Sequence, residues 1–291
     1  MTKRDHTAIK APIDIYVAGI PCQPFSRSGV HGGIDDSRGQ LFFHVAAFLT
    51  SNRPEPFVIE NVSSLVTDHA ETFECMLTIL RNITGEDKQT GFYSVAWKIL
   101  HTSEHGLPQH RERVFIVGTK KAAMQFPFAW PHPTKMRSLT SILGLPQDPA
   151  AEAPQLNNTN LKNLLAITDS YKDKGNRLIE VENICNIGGA SPHIMENMCP
   201  CLTKTRCSSQ GYYSFSQTRS LSVYDMCRLQ GVPAKDIAGW SNIVSKSQIG
   251  GIIGNAIPIC LMERLLREVL ISTGWAVHAD RWADAKAVSL E

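Results

Sequence analysis

The apolar run Ile13 to Ala18 reads as a buried strand, and it leads directly into Gly19-Ile20-Pro21-Cys22-Gln23-Pro24-Phe25-Ser26. Proline fixes the backbone and glycine permits tight turning, so a strand followed by this octapeptide holds Cys22 rigidly at an exposed sheet end. A cysteine that only fills a core behaves as a small hydrophobe and needs no such turn. Cys22 is therefore a candidate nucleophile.

The rest of the chain supplies elements to build around that strand end. Pro56 to Val62 is a second short apolar run, ending in the carboxylate of Glu60 and the amide of Asn61. A third, Arg113 to Gly118, follows Gln109-His110-Arg111-Glu112-Arg113. Helices are expected at 40–50 and 71–82, further strands at 94–100, and closing helices at 221–229 and 256–271. Alternating elements of this kind give a layered α/β sheet. With 291 residues and 43% apolar content, the chain can bury a large domain and a smaller one.

Composition narrows the setting. Met1 to Lys10 is polar and lacks a signal-peptide pattern, and no apolar run is read as long enough to span a bilayer, so no membrane partner is expected. Eight cysteines without a secretion signal point to free thiols in a reducing compartment: the nucleus of a eukaryote or the cytoplasm of a bacterium. The net charge of +2 does not by itself advertise nucleic-acid binding. Between Glu196 and Asp225, however, there is no acidic residue, while Lys204, Arg206 and Arg219 surround Tyr212, Tyr213 and Phe215. Such a surface suits phosphate contacts and base stacking, and equally suits a solvated loop. Cys185, Cys199, Cys201 and Cys207 lack paired C-x-x-C spacing, so no metal site is expected.

Taken in order, five segments resemble the carbon-5 cytosine DNA methyltransferase family. They are the Pro21-Cys22-Gln23 loop, the Glu60-Asn61-Val62 strand end, the Gln109-x-Arg111-x-Arg113 strand, Arg228-Leu229-Gln230-Gly231-Val232-Pro233, and the Gly254-Asn255-Ala256 turn. Asp36-Ser37-Arg38-Gly39-Gln40-Leu41-Phe42 is similar to the helix start that follows the family's catalytic loop. Asp225 stands where the family usually has glutamate.

The resemblance implies a Rossmann-like, S-adenosylmethionine-dependent methyltransferase sheet with a small irregular target-recognition domain. It implies a catalytic domain over 1–124 without the N-terminal strands, a recognition domain over 125–220, a return segment over 221–275 and a tail over 276–291. It also implies roles. Cys22 adds to carbon 6 of a cytosine flipped out of the duplex, and Glu60, with a raised pKa, protonates or hydrogen-bonds ring nitrogen 3. Arg113 contacts the base or supports Glu60. Arg111, read as sharing a strand face with Arg113, holds the catalytic loop and lowers the thiol pKa. Pro21, Gln23, Ser26, Asn61 and Gln109 support the loop. Pro21, Leu41, Asn255 and Ala256 border S-adenosylmethionine, and Arg27, Lys204, Arg206 and Arg219 contact nucleic acid. The glycines between Ser26 and Gly39 fit a mobile loop and an inert surface turn alike.

One departure shapes the expected function. The family's cofactor site opens with a strand and a phenylalanine-x-glycine-x-glycine turn, and neither stretch, before Asp14 or after Asn255, contains one. The expectation is therefore a split or truncated methyltransferase that acts on DNA with a second polypeptide supplying the cofactor-binding half. A non-catalytic nucleic-acid-binding or regulatory homologue, and an RNA cytosine methyltransferase, are the alternatives.

Overall fold

The computed structural model describes residues 12–20, 41–85, 91–143, 156–171, 177–237 and 239–276. Its contacts divide the chain into two compact units, one of residues 1–100, 112–131 and 265–282, the other of residues 101–111, 132–264 and 283–291. This division does not follow the sequence boundaries at 124/125 and 220/221. Residues 101–111 and most of the expected return segment group with the second unit.

The first unit is built on a sheet of strand order β1-β2-β4-β3, where β1 is Tyr16–Gly19, β2 Pro56–Val62, β3 Tyr93–His101 and β4 Glu112–Lys120. Strand β1 pairs parallel to β2, and β4 pairs antiparallel to it. Six of the seven residues of β2 are buried, which explains its continuous apolar reading: a central strand is covered on both faces. The helix Ala70–Arg81 carries Phe73, Met76, Leu77 and Leu80 at i, i+3, i+4 and i+7, and this stripe is its buried face. Glu71 in its first turn and Arg81 in its last complement the helix dipole. These residues join Phe42, Val45, Leu49, Phe57 and Ile116 in one core. Each such side chain contributes about 1.5–3 kcal/mol when removed from water. Gly118 lies opposite Phe57 across the β2–β4 ladder, and a Cβ there would meet the Phe57 ring at 2.1 Å. The ring occupies the space that only glycine leaves.

The second unit holds another sheet, of order β6-β5-β7-β8: β5 Asn183–Asn186, β6 His193–Glu196, β7 Tyr212–Ser214 and β8 Arg219–Ser220. The region read as irregular thus contains short antiparallel strands, preceded by the helix Asn158–Ser170 that sequence reading did not place. Its main core gathers Leu139, Ile184, Leu202, Tyr212, Met226, Leu229, Ile249 and Ile253.

The turn Gly254-Asn255-Ala256, expected to open the last helix, instead closes an earlier one, Lys246–Asn255. The last helix starts at Ile259. Together they span Lys246–Ser272, a stretch long and apolar enough by composition to cross a membrane, which corrects the reading that no such run exists. The stretch is broken at Ala256–Pro258, and its Ile249, Ile253, Leu261, Leu265 and Val269 are buried.

Candidate active site

Register places Glu60. In the antiparallel β2–β4 pair, Glu60 faces Phe115 and Val62 faces Arg113, so Glu60 and Arg113 are diagonal neighbours on one face of the sheet. Their side chains meet as an ion pair, Arg113 Nε to Glu60 Oε1 at 3.1 Å, with both largely withdrawn from solvent. On the other side of β2, Gly19 is the register partner of Glu60, and the Ile20 amide donates to the Glu60 carbonyl at 3.2 Å. The chain that carries Cys22 therefore leaves the sheet beside Glu60. Pro21, Cys22, Gln23, Ser26 and Arg27 themselves lie outside the described residues.

Asn61 is buried at the same strand end. Its Oδ1 accepts the Val62 amide at 2.8 Å, and its Nδ2 has no hydrogen-bond partner, leaving a buried donor directed at nothing among the described residues. Leu41 is half-buried at the first position of the helix Leu41–Asn52.

The second unit builds a separate constellation. Arg111 was expected on one strand face with Arg113, but β4 begins at Glu112 and the Arg111 side chain is buried within the second unit. Its Nη1 donates to the Leu202 carbonyl at 2.7 Å and more distantly to Gly254 at 3.4 Å, its Nη2 donates to Ala256 at 2.9 Å, and Cys201 Sγ lies 3.6 Å from Nη1. Gln109, fully buried, donates through Nε2 to the Leu229 carbonyl and to Gln230 Oε1. Arg111 thus anchors the Gly254–Ala256 end of the helix Lys246–Asn255, where main-chain carbonyls lack helical partners, while Gln109 binds the chain at Leu229 and Gln230. Asn255 itself is exposed and Ala256 half-buried.

Two expectations for the basic region change. Lys204 is exposed and Arg206 half-buried on the helix Lys204–Ser208, as a nucleic-acid contact requires. Arg219 instead pairs with fully buried Asp225 at 2.6 Å and donates to the Leu143 carbonyl, so its charge is committed within the unit. Asp225 also closes a capping box with Ser222 at the start of the helix Val223–Leu229, and the aspartate thereby serves two structural partners. Tyr212, read as a possible stacking aromatic, is buried, with its hydroxyl donating to the Cys201 carbonyl at 2.8 Å. We expect Arg219→Gln to lower the melting temperature while DNA affinity stays within about threefold, since it leaves Asp225 buried without its cation. Calorimetric unfolding beside a DNA titration checks this, and a tenfold loss of affinity at unchanged stability would contradict it.

Five of the described cysteines contrast with a nucleophile. Burial pushes the Cys185, Cys207 and Cys227 thiols up to about 12, and it holds Cys199 and Cys260 above the ordinary range as well. Thiols of this kind stay protonated and inert near neutral pH.

With this geometry in place, comparison with known proteins is direct. A sequence model of C-5 cytosine-specific DNA methylases matches residues 1–270. The chain belongs to that family. It is 33% identical over 252 residues to the type II methyltransferase M.NgoBI of Neisseria gonorrhoeae, covering 86% of this chain and 72% of the relative. It is 31% identical to M.HaeII of Haemophilus aegyptius over 267 residues, covering 91% and 76%. In fold it is similar to the methyltransferase EhMeth of Entamoeba histolytica, with TM-score 0.60 and 15% identity over 89% of this chain and 77% of that one. A putative DNA modification methyltransferase encoded within an E. coli prophage aligns with TM-score 0.58 and 18% identity over 91% and 80%. The methylase is thus a DNA cytosine-5 methyltransferase with the family's Rossmann-like mixed sheet, and the family implies a methyl donor.

Proposed function

We propose that the methylase transfers a methyl group from S-adenosylmethionine to carbon 5 of a flipped cytosine in DNA, through a covalent bond between Cys22 and carbon 6. The observation that carries this reading is the hydrogen bond from Ile20 to Glu60, which starts the Cys22 loop beside the carboxylate that pairs with Arg113. A thiolate and a carboxyl are the two groups this chemistry needs at one ring.

In this reading the Cys22 thiolate adds to carbon 6 while the carboxyl of Glu60 holds a proton at ring nitrogen 3. The electron pair displaced from the 5,6 double bond makes carbon 5 nucleophilic. S-adenosylmethionine, when bound, supplies an electrophilic methyl group. Once carbon 5 carries it, loss of the carbon-5 proton re-forms the double bond and expels Cys22. Arg113 fixes the direction of the Glu60 carboxyl. On the donor side, exposed Asn255 offers both a donor and an acceptor to the amino-acid or ribose groups of S-adenosylmethionine, and the turn is held from within by Arg111. That polarity fits the donor, and half-buried Ala256 fits its apolar parts. Exposed Lys204 and the loop residue Arg27 are assigned to phosphate contacts.

DNA is favoured over RNA because the family and the relatives above are DNA methylases and type II methyltransferases. The deciding experiment transfers label from S-adenosylmethionine to duplex DNA and separates the nucleosides. Label in 5-methyldeoxycytidine is expected; label on an exocyclic amine would overturn the proposal.

A further inference from the structure

A buried glutamine that neither catalysis nor donor contact requires controls the Gly254–Ala256 turn. Gln230 is fully buried, and its Nε2 donates to the carbonyls of Ile253 at 3.0 Å and Ala256 at 2.7 Å. Its own carbonyl accepts the Ile259 amide at 2.9 Å. One residue therefore grips the end of the helix Lys246–Asn255 and the start of the helix Ile259–Ser272, and the backbone between them spans a fixed gap. The orientation of the amide is forced. Ile253 and Ala256 present only acceptors, so Nε2 must face them, and Oε1 is left to accept from Gln109 Nε2, which also donates to the Leu229 carbonyl. Gln109, whose Nε2 also faces the Leu229 carbonyl, supplies the donor that Gln230 Oε1 then needs, and Gln230 holds the turn.

Close packing makes the turn sensitive to that grip. A Cβ on Gly254 would come within 2.4 Å of the Thr203 carbonyl carbon and the Lys204 nitrogen, and one on Gly250 within 2.4 Å of the Cys207 oxygen. The helix therefore lies backbone to backbone on residues 203–207, and the turn has no room to shift on that side. What it presents outward is Asn255, exposed, and Ala256, half-buried.

We propose that Gln230 is a positioning residue for the methyl donor: by holding Ile253, Ala256 and Ile259 at once, it fixes the Asn255–Ala256 segment in the shape that S-adenosylmethionine binds. This rests on the reading of Asn255 and Ala256 as donor-side residues. It goes beyond that reading in assigning affinity for the donor to a side chain that does not touch it.

The test compares Gln230→Met, which keeps the shape and removes the hydrogen bonds, with Asn255→Ala. Donor affinity is measured by calorimetry, amide hydrogen exchange is mapped over 253–259, and Cys22 capture of duplex DNA carrying a pyrimidin-2-one is timed without donor. For Gln230→Met the expected result is donor affinity weaker by about tenfold, faster exchange confined to 253–259, and capture within about threefold of the parent. Unchanged donor affinity in Gln230→Met with a loss in Asn255→Ala would overturn the role of Gln230 and leave the donor-side reading standing. Unchanged affinity in Asn255→Ala would remove the reading itself. Capture and thermal stability falling together with affinity in Gln230→Met would show a merely structural residue and overturn the proposal.

Discussion

Glu60→Gln is expected to slow methyl transfer by about 10²–10⁴-fold in single-turnover assays, the range removed with a positioned acid–base group. The reason lies in the register. Glu60 stands between the strand end that carries the Cys22 loop, joined to it through the Ile20 amide, and Arg113 on the next strand at 3.1 Å. Glutamine keeps an acceptor for Arg113 Nε and the size of the side chain, so the sheet should persist. It loses the capacity to pass a proton to ring nitrogen 3, and thiolate addition then proceeds against an unassisted ring. A loss of less than about tenfold with saturating DNA and donor would mean that Glu60 is only the structural partner of Arg113.

Arg111→Ala is expected to carry the largest stability cost in the second unit, about 3–5 kcal/mol, because buried carbonyls lose charge-assisted hydrogen bonds worth about 1.5–3 kcal/mol each. Three carbonyls, of Leu202, Gly254 and Ala256, lose a charged donor together, and Ala256 keeps only its bond from Gln230 Nε2. A melting temperature lower by roughly 10 °C follows for a chain of this size. Arg111→Lys should recover less than half of it, because one ammonium cannot reproduce a planar fork that reaches carbonyls on both of its terminal nitrogens. Thermal unfolding of the three proteins decides this. Equal stability of the lysine variant and the parent would show that charge alone, not the fork, holds the turn.

What the sequence disclosed and what it hid follow from the range of the interactions concerned. Strand β2 was legible because a doubly covered strand is written as an uninterrupted apolar run, and its terminal Glu60 and Asn61 stood out against that run. The helix Ala70–Arg81 was legible from its stripe. The helix Lys246–Asn255 was not, because Gly250, Gly251 and Gly254 depress helix propensity, while the close approach to residues 203–207 that they permit is a tertiary fact. Arg219 was misread for a related reason. The acid-free window from Glu196 to Asp225 ends on the residue that neutralises it, and only folding brings the two side chains to 2.6 Å. Gln230 lay inside a motif recognised from its neighbours, but its role depends on Gln109, far off in sequence, and on carbonyls that no composition reveals. Arg111 and Arg113 are two residues apart yet belong to different units, which the alternation rule for a strand could not anticipate once β4 began at Glu112.

The most direct test of the account is capture at Cys22. The protein is incubated with S-adenosylmethionine and duplex DNA carrying 5-fluorocytosine, in which fluorine occupies the position of the proton that must leave before the thiol can be released. The account predicts a denaturant-stable protein–DNA adduct whose peptide map places the bond on Cys22, absent in Cys22→Ser although that variant still binds the duplex. An adduct that forms undiminished in Cys22→Ser, or that maps to another cysteine, would contradict it.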